Sequence, residues 1–195
     1  MKIFDFNFAT KTQIQIIKTG LDHISANIWN ELGKEPFNIY IKIRKPVIHI
    51  FLVRHEDVKF LKDIKTELGK FIEHSGIYFG FIKEEEFKIS LEGSEFLWMD
   101  VAPRRELNLK KITVTEAAAK GFLYGNNIQP NSFLKSPEIL NRKDLVFVFD
   151  PLSRFLGIGY IFKKYAPKKT RKTIEPPAIE LRNLIDYGYY IRRGA

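Results

Sequence analysis

The chain has 195 residues, 45% hydrophobic and 28% charged, which allows one large or two small domains with a real core and argues against global disorder. It contains no cysteine, so disulfides and thiolate-held metals are excluded. The net charge of +9 is segregated: residues 1–108 carry 16 Lys+Arg against 16 Asp+Glu, whereas residues 109–195 carry 16 against 7.

The start, MKIFDFNFATKTQ, lacks the long apolar core and small-residue cleavage site of a signal peptide. Apolar periodicity begins after it. Ile14, Ile17, Leu21, Ile24, Ile28 and Leu32 follow steps of three and four, which predicts a helix over residues 12–32, with Gly20 as its weak point. Ile39, Ile41 and Ile43 then alternate with Tyr40, Lys42 and Arg44 as a half-buried strand does. Arg44-Lys45-Pro46 predicts a turn, and Val47 to Val53 the returning strand. The run IHIFLV within it is far too short to cross a bilayer, so a soluble, cytoplasmic protein is expected.

Val58, Leu61, Ile64, Leu68 and Phe71 mark a second helix. Two further strands are expected at Ile77 to Ile82 and Phe87 to Leu91, joined by a turn at Glu84 to Glu86. GSEFLWMDVAP reads as a short helix ending before Pro103. The polar stretch Arg104 to Lys110 reads as a linker, dividing the chain into domains 1–108 and 109–195.

Beyond it the texture changes to short strands. KITV is the first, and TEAAAKGFLYGNN is a helix opened by Thr115 as N-cap and closed near Gly125. Strands follow at Ser132 to Lys135, Leu145 to Asp150, Phe155 to Phe162 and Ala178 to Leu184. LVFVF is apolar on both faces and predicts a central, fully buried strand. Gly157 and Gly159 share one strand face, which suits a small closed sheet crossed closely by another element.

Catalytic patterns are lacking in the sequence. His23, His49, His55 and His74 show no i, i+4 pairing, so core or surface roles are expected and no metal. GIG at residues 157–159 lacks the third glycine of a dinucleotide fingerprint and opens no helix. There is no phosphate-binding lysine loop and no serine elbow. Asp144 and Asp150 bracket a strand and are expected to serve turns.

The basic excess peaks at FKKYAPKKTRK, residues 162–172, and no acid occurs between Asp150 and Glu175. Pro167 argues against an amphipathic membrane helix there, so no membrane partner is expected. A solvated loop is the plain reading. A polyanion contact is the functional one, with Lys163, Lys164, Lys168, Lys169, Arg171 and Lys172 on phosphates. Phe162, Tyr165 and Tyr124 are candidate stacking faces for bases, although core packing is the commoner fate of such residues.

KITVTEAAAKGFLYGNNIQPNSF resembles the opening strand, helix and glycine turn of a PUA domain, the RNA-binding fold named for pseudouridine synthases and archaeosine transglycosylases. DPLSRFLGIGY resembles that family's turn and glycine strand, with Ser-Arg-Phe-Leu inserted before the first glycine. EPPAIELRNLIDYGYYIRR resembles the closing segment of the small two-domain ribosome-biogenesis factors of the Nip-seven family, shared by archaea and eukaryotes. The resemblance implies an α+β chain: a mixed α/β domain with an antiparallel sheet, then a PUA-like small β-barrel with an inserted helix. It implies a non-enzymatic factor without cofactors that binds RNA, expectedly single-stranded pre-rRNA segments. Assembly or RNA-processing proteins would bind the N-terminal domain. It places the RNA cleft at Lys120 to Asn127 and Ala178 to Arg182. That cleft implies contacts from Lys120, Asn126, Asn127 and Arg182, and the charge pattern adds Lys135 beside the second strand and Arg192 near the end of the chain to the basic tract. A protein-interaction adaptor in an RNA-processing complex is the alternative reading. A small RNA-modifying enzyme is disfavoured, because the first 108 residues are short and carry no catalytic motif.

Overall fold

A computed structural model describes residues 6–68, 75–137, 140–164 and 179–192. The chain forms two compact units, residues 1–107 and 108–195. Among the described residues, no helix is long and apolar enough to cross a membrane.

The first unit is a five-stranded antiparallel meander, in order β1 (Phe6–Phe8), β2 (Phe37–Arg44), β3 (Val47–Arg54), β4 (Ile77–Lys83) and β5 (Glu86–Ile89). The isoleucine alternation sets its register: Tyr40 faces Phe51, and Ile41 faces Ile50. Central β3 is buried on both faces. On one face, Tyr40, Phe51, Val53 and Tyr78 pack against Val58 and Leu61 of α3 (Asp57–Leu68). On the other, Ile48 and Ile82 line up with Phe87, whose ring lies against Gly20 of α1 (Lys11–Asp22). A β-carbon at Gly20 would stand 2.9 Å from Phe87, so the sequence's weak helix former is a packing device.

The helix expected over residues 12–32 is two helices. After α1, capped by the reciprocal Thr10–Gln13 box, the chain turns and resumes as α2 (Ile28–Leu32). Ile24 and Ile28 stay buried across the break, so the apolar period persists while the backbone does not. Ser25 and Asn27 sit in the gap, residue types whose side chains compete for backbone hydrogen bonds.

Pro103 also departs from expectation. Ser90 caps α4 (Leu91–Phe96), a π-helical turn follows over Leu97–Val101, and α5 (Ala102–Arg105) carries the proline inside it. The Ala102 N–H bonds to the Leu97 carbonyl five residues back, and Pro103 occupies the next segment's first turn, where a missing donor costs little. Arg104 and Arg105 therefore belong to the fold and not to a linker: both bind the buried carboxylate of Glu35.

The β4–β5 connection places Glu84 and Glu85 at φ 53° and 61°. Two left-handed residues in succession make the hairpin turn that Asn-Gly adopts without strain. Replacing Glu84-Glu85 by Asn-Gly is expected to stabilise this unit by about 1 kcal/mol. The melting temperature should rise by about 4–8 °C. A melting temperature that stayed level or fell would show the turn to be unstrained.

The second unit is a mixed five-stranded sheet ordered β10 (Ile179–Asp186), β9 (Phe155–Lys164), β8 (Leu145–Phe149), β6 (Lys111–Val114) and β7 (Phe133–Lys135). Among the described residues, only the β6–β8 pair is parallel. α6 (Glu116–Leu123) connects β6 towards β7. LVFVF is β8, central and buried on both faces: Val146 and Val148 enter the core with Ala119 and Phe122 of α6, while Phe147 and Phe149 meet Phe155 on the other side. The segment 128–135 meets both sheet edges, since Ile128 bridges to Leu181 on β10 and Phe133–Lys135 pairs with β6. The glycine strand is approached closely by its paired neighbour β10 and not by a crossing element: a β-carbon at Gly157 would stand 2.2 Å from the Ile185 carbonyl oxygen.

The two aspartates flanking β8 serve turns. Asp144 accepts from the Asn141 N–H at 2.7 Å and pairs with Lys110, also at 2.7 Å. Asp150 accepts from the N–H groups of Leu152 and Arg154 and from the Arg154 side chain. Burial opposes its charge, but those bonds, foremost from Arg154, outweigh it and hold the carboxyl below the usual range.

Candidate nucleic-acid interface

The interface is built around the end of α6. Thr115 caps the helix start, its hydroxyl accepting from the Ala118 N–H. Tyr124 closes the helix and stands 75% exposed. Gly125 follows at φ 86°, a conformation that favours glycine, and lies against the Arg192 guanidinium. The chain then turns back, with the Asn126 N–H on the Gly121 carbonyl, and Ile128 exchanges two backbone hydrogen bonds with Leu181 of β10. Asn126 and Asn127 are thereby held at the surface, beside the last strand.

A buried carboxylate braces this turn. Asp186 accepts from both terminal nitrogens of Arg192 at 2.9 Å and from the Asn183 amide at 3.0 Å. The same Asn183 amide donates to the Phe122 carbonyl, and its backbone N–H donates to Asn127 Oδ1. Arg192 also donates to the Leu123 carbonyl. It sits on α7 (Gly188–Arg192), whose first residue has room only for hydrogen: a β-carbon at Gly188 would collide with that same carbonyl. The hydrogen bonds that Arg192 donates to Asp186 raise the Arg192 pKa above its ordinary value.

The opposite face of β10 carries a different group. Leu181 faces the core, so Arg182 points away from it, directly across from Tyr160. Its guanidinium carbon lies 4.0 Å from the Phe162 ring centroid and 5.7 Å from that of Tyr160. The two rings meet edge to face at 6.2 Å. Lys163 lies 5.3 Å from the Phe162 centroid and 3.7 Å from Glu180.

The residues singled out in the sequence therefore fall in several places. Lys120 is exposed on α6 and pairs with Glu116 at 3.1 Å. Asn126 and Asn127 form the turn, with one oxygen of Asn127 engaged by the fold. Lys135 is exposed on edge strand β7. Lys163 and Lys164 end β9. Arg182 is on the far face from α6, and Arg192 is held inside the brace. Lys168, Lys169, Arg171, Lys172, Tyr165 and Ala178 lie outside the described residues. The sequence alone assigns no role to Asn183, Asp186 or Gly188, although IDYG carries a signal: an acid and a glycine two apart at a strand end. Tyr160 carries no such signal, its partners being set by register.

A small mixed sheet with one helix packed on its core face, a glycine turn seated on the last strand and a basic surplus defines the class: residues 110–195 match the model of the UPF0113 PUA domain, so the second unit is similar to that domain. PUA domains generally bind RNA. No curated protein sequence matches the chain. Its fold is similar to a hypothetical protein of the hyperthermophilic archaeon Pyrococcus horikoshii, at TM-score 0.56 and 12% identity over 95% of this chain and 98% of that one. It is similar also to a conserved PUA domain protein of Thermoplasma acidophilum, at TM-score 0.52 and 12% identity over 97% and 98% of the two chains. A third neighbour is a PUA domain from Aeropyrum pernix solved as a tartrate complex, at TM-score 0.53 and 9% identity over 95% and 88%.

Proposed function

We propose that the chain is a non-catalytic RNA-binding factor of large ribosomal subunit biogenesis, which contacts pre-rRNA through its PUA unit. One observation carries the reading: the PUA match falls on the half of the chain that holds the entire +9 charge excess. The resemblance of its closing segment to the Nip-seven family supports the ribosomal assignment. Lys120, Asn126 and Asn127 offer one contact line, and Lys163, Lys164, Lys168, Lys169, Arg171 and Lys172 offer phosphate neutralisation.

Each engaged cation releases counterions from the RNA. About four contacts to a single strand give a log–log salt slope near −3. Titrating a single-stranded RNA across a salt series measures it, and binding indifferent to salt would overturn the mechanism. Lys168→Glu with Arg171→Glu should weaken all RNAs alike, whereas changes at Lys120 should alter preference among them.

The first unit supports a second role, as a protein-binding surface, because it exposes Phe8, Ile43, Phe60 and Met99. Pull-down after thorough RNase digestion tests it. Complexes that survive belong to this surface, and complexes that vanish are bridged by RNA.

A further inference from the structure

We propose that Arg182, Phe162 and Tyr160 form a stacking subsite for one unpaired base of single-stranded RNA, on the sheet face opposite α6. The inference rests on the RNA-binding reading and adds where a base is held. Within β9 and β10 the register runs Glu180 to Lys163, Leu181 to Ile161 and Arg182 to Tyr160, leaving Phe162 without a partner residue. Phe162 is thus the extra residue of a bulge, a device that re-aims a side chain. Here it brings the ring to 4.0 Å from the guanidinium carbon of Arg182.

Charge complementarity chooses the occupant. Among the described residues no carboxylate pairs with Arg182, whereas Lys110, Lys120, Arg154, Lys163 and Arg192 each have one. Glu180, the acid two residues from Arg182 on β10, is engaged by Lys163. The guanidinium keeps its donors for a phosphate or base edge, and its plane offers a stacking face. The rings beneath are half-buried and packed on each other and on the guanidinium, so a base docks on a surface that is already formed. β9 lies within the acid-free stretch of residues 151–174 and ends on Lys163 and Lys164, which supply charge that keeps a phosphate chain nearby. An acidic peptide would use the charge of Arg182 and leave the stack unused.

The planar group and the charge separate by substitution. Arg182→Lys keeps the charge on an exposed side chain and removes the plane; Arg182→Ala removes both. The probe is a single-stranded oligoribonucleotide with 2-aminopurine at successive positions, titrated against the full chain, with quenching reporting stacking. The wild type is expected to quench at one position. Arg182→Lys should lose the quench and about tenfold in affinity at an unchanged salt slope. Arg182→Ala should also reduce that slope by about 0.7. Equal binding and quenching by wild type and Arg182→Lys would overturn the subsite and leave RNA binding standing. So would polyglutamate competing with the oligonucleotide through an interaction that Arg182→Lys preserves. A wild type that bound no oligonucleotide at low salt would overturn the RNA-binding reading together with the subsite.

Discussion

Asp186→Ala is expected to destabilise the second unit by about 3 kcal/mol, because three hydrogen bonds to one buried carboxylate are lost together. For a unit of this size that lowers the melting temperature by roughly 10–20 °C. Thermal unfolding of the full chain, with amide exchange reporting residues 108–192, measures it. Asp186→Asn keeps the shape but turns an amide N–H towards the Arg192 donors, so it should recover less than half the loss. The variant also tests the turn: Arg192 binds Leu123, one residue before Tyr124, and Asn183 binds both Phe122 and Asn127. Loosening them should weaken RNA binding without changing its salt slope, since no solvent-facing cation is removed. Melting at the wild-type temperature would reduce the brace to a surface contact.

The strands were legible wherever one physical rule governed them. Alternation placed β2, and an unbroken apolar run placed β8, because burial on one face or on two writes itself directly into residue type. Thr115 and Gly125 were legible because a helix end demands particular backbone chemistry. The breaks in α1–α2 and α4–α5 were not, since apolar period records which side is buried and not whether the backbone bonds continue. The candidate site was legible only as a list of residue types. Two bulges, between Glu180 and Leu181 and between Asn183 and Ile185, shift the register of β10 against β9, so period two cannot say which residues of β9 stand beside Arg182. The role of Arg192 depends on a carbonyl of α6, 69 residues away, and no local pattern records such a partner.

Removing both arginines of the first unit's clamp, Arg104→Ala with Arg105→Ala, is expected to cost about 3–5 kcal/mol, the range for stranding one member of a buried ion pair. The Glu35 side chain is only 1% exposed and has one oxygen 2.9 Å from Arg104 and the other 3.0 Å from Arg105. Arg105 also donates to the Lys34 carbonyl, which ties the chain before β2 to the end of α5. With both guanidinium groups gone, a full negative charge remains in a site without solvent. Its desolvation is the cost, more than any attraction lost at the exposed arginines. That ordering has a sharp consequence. Adding Glu35→Gln to the double variant neutralises the stranded charge, so the triple variant should regain most of the stability. If the attraction itself were the main contribution, the triple variant would be no more stable than the double. Arg105→Ala alone should cost more than Arg104→Ala alone, because the Arg105 side chain is 32% exposed and that of Arg104 54%. Denaturant unfolding of the wild type and the four variants, with the slope checked for constancy, measures these differences directly. A clamp that fails this way also decides where the domain ends. Arg104 and Arg105, at the start of the segment that reads as a polar linker, would be the lock on the first unit's last helix, and that unit would end after them.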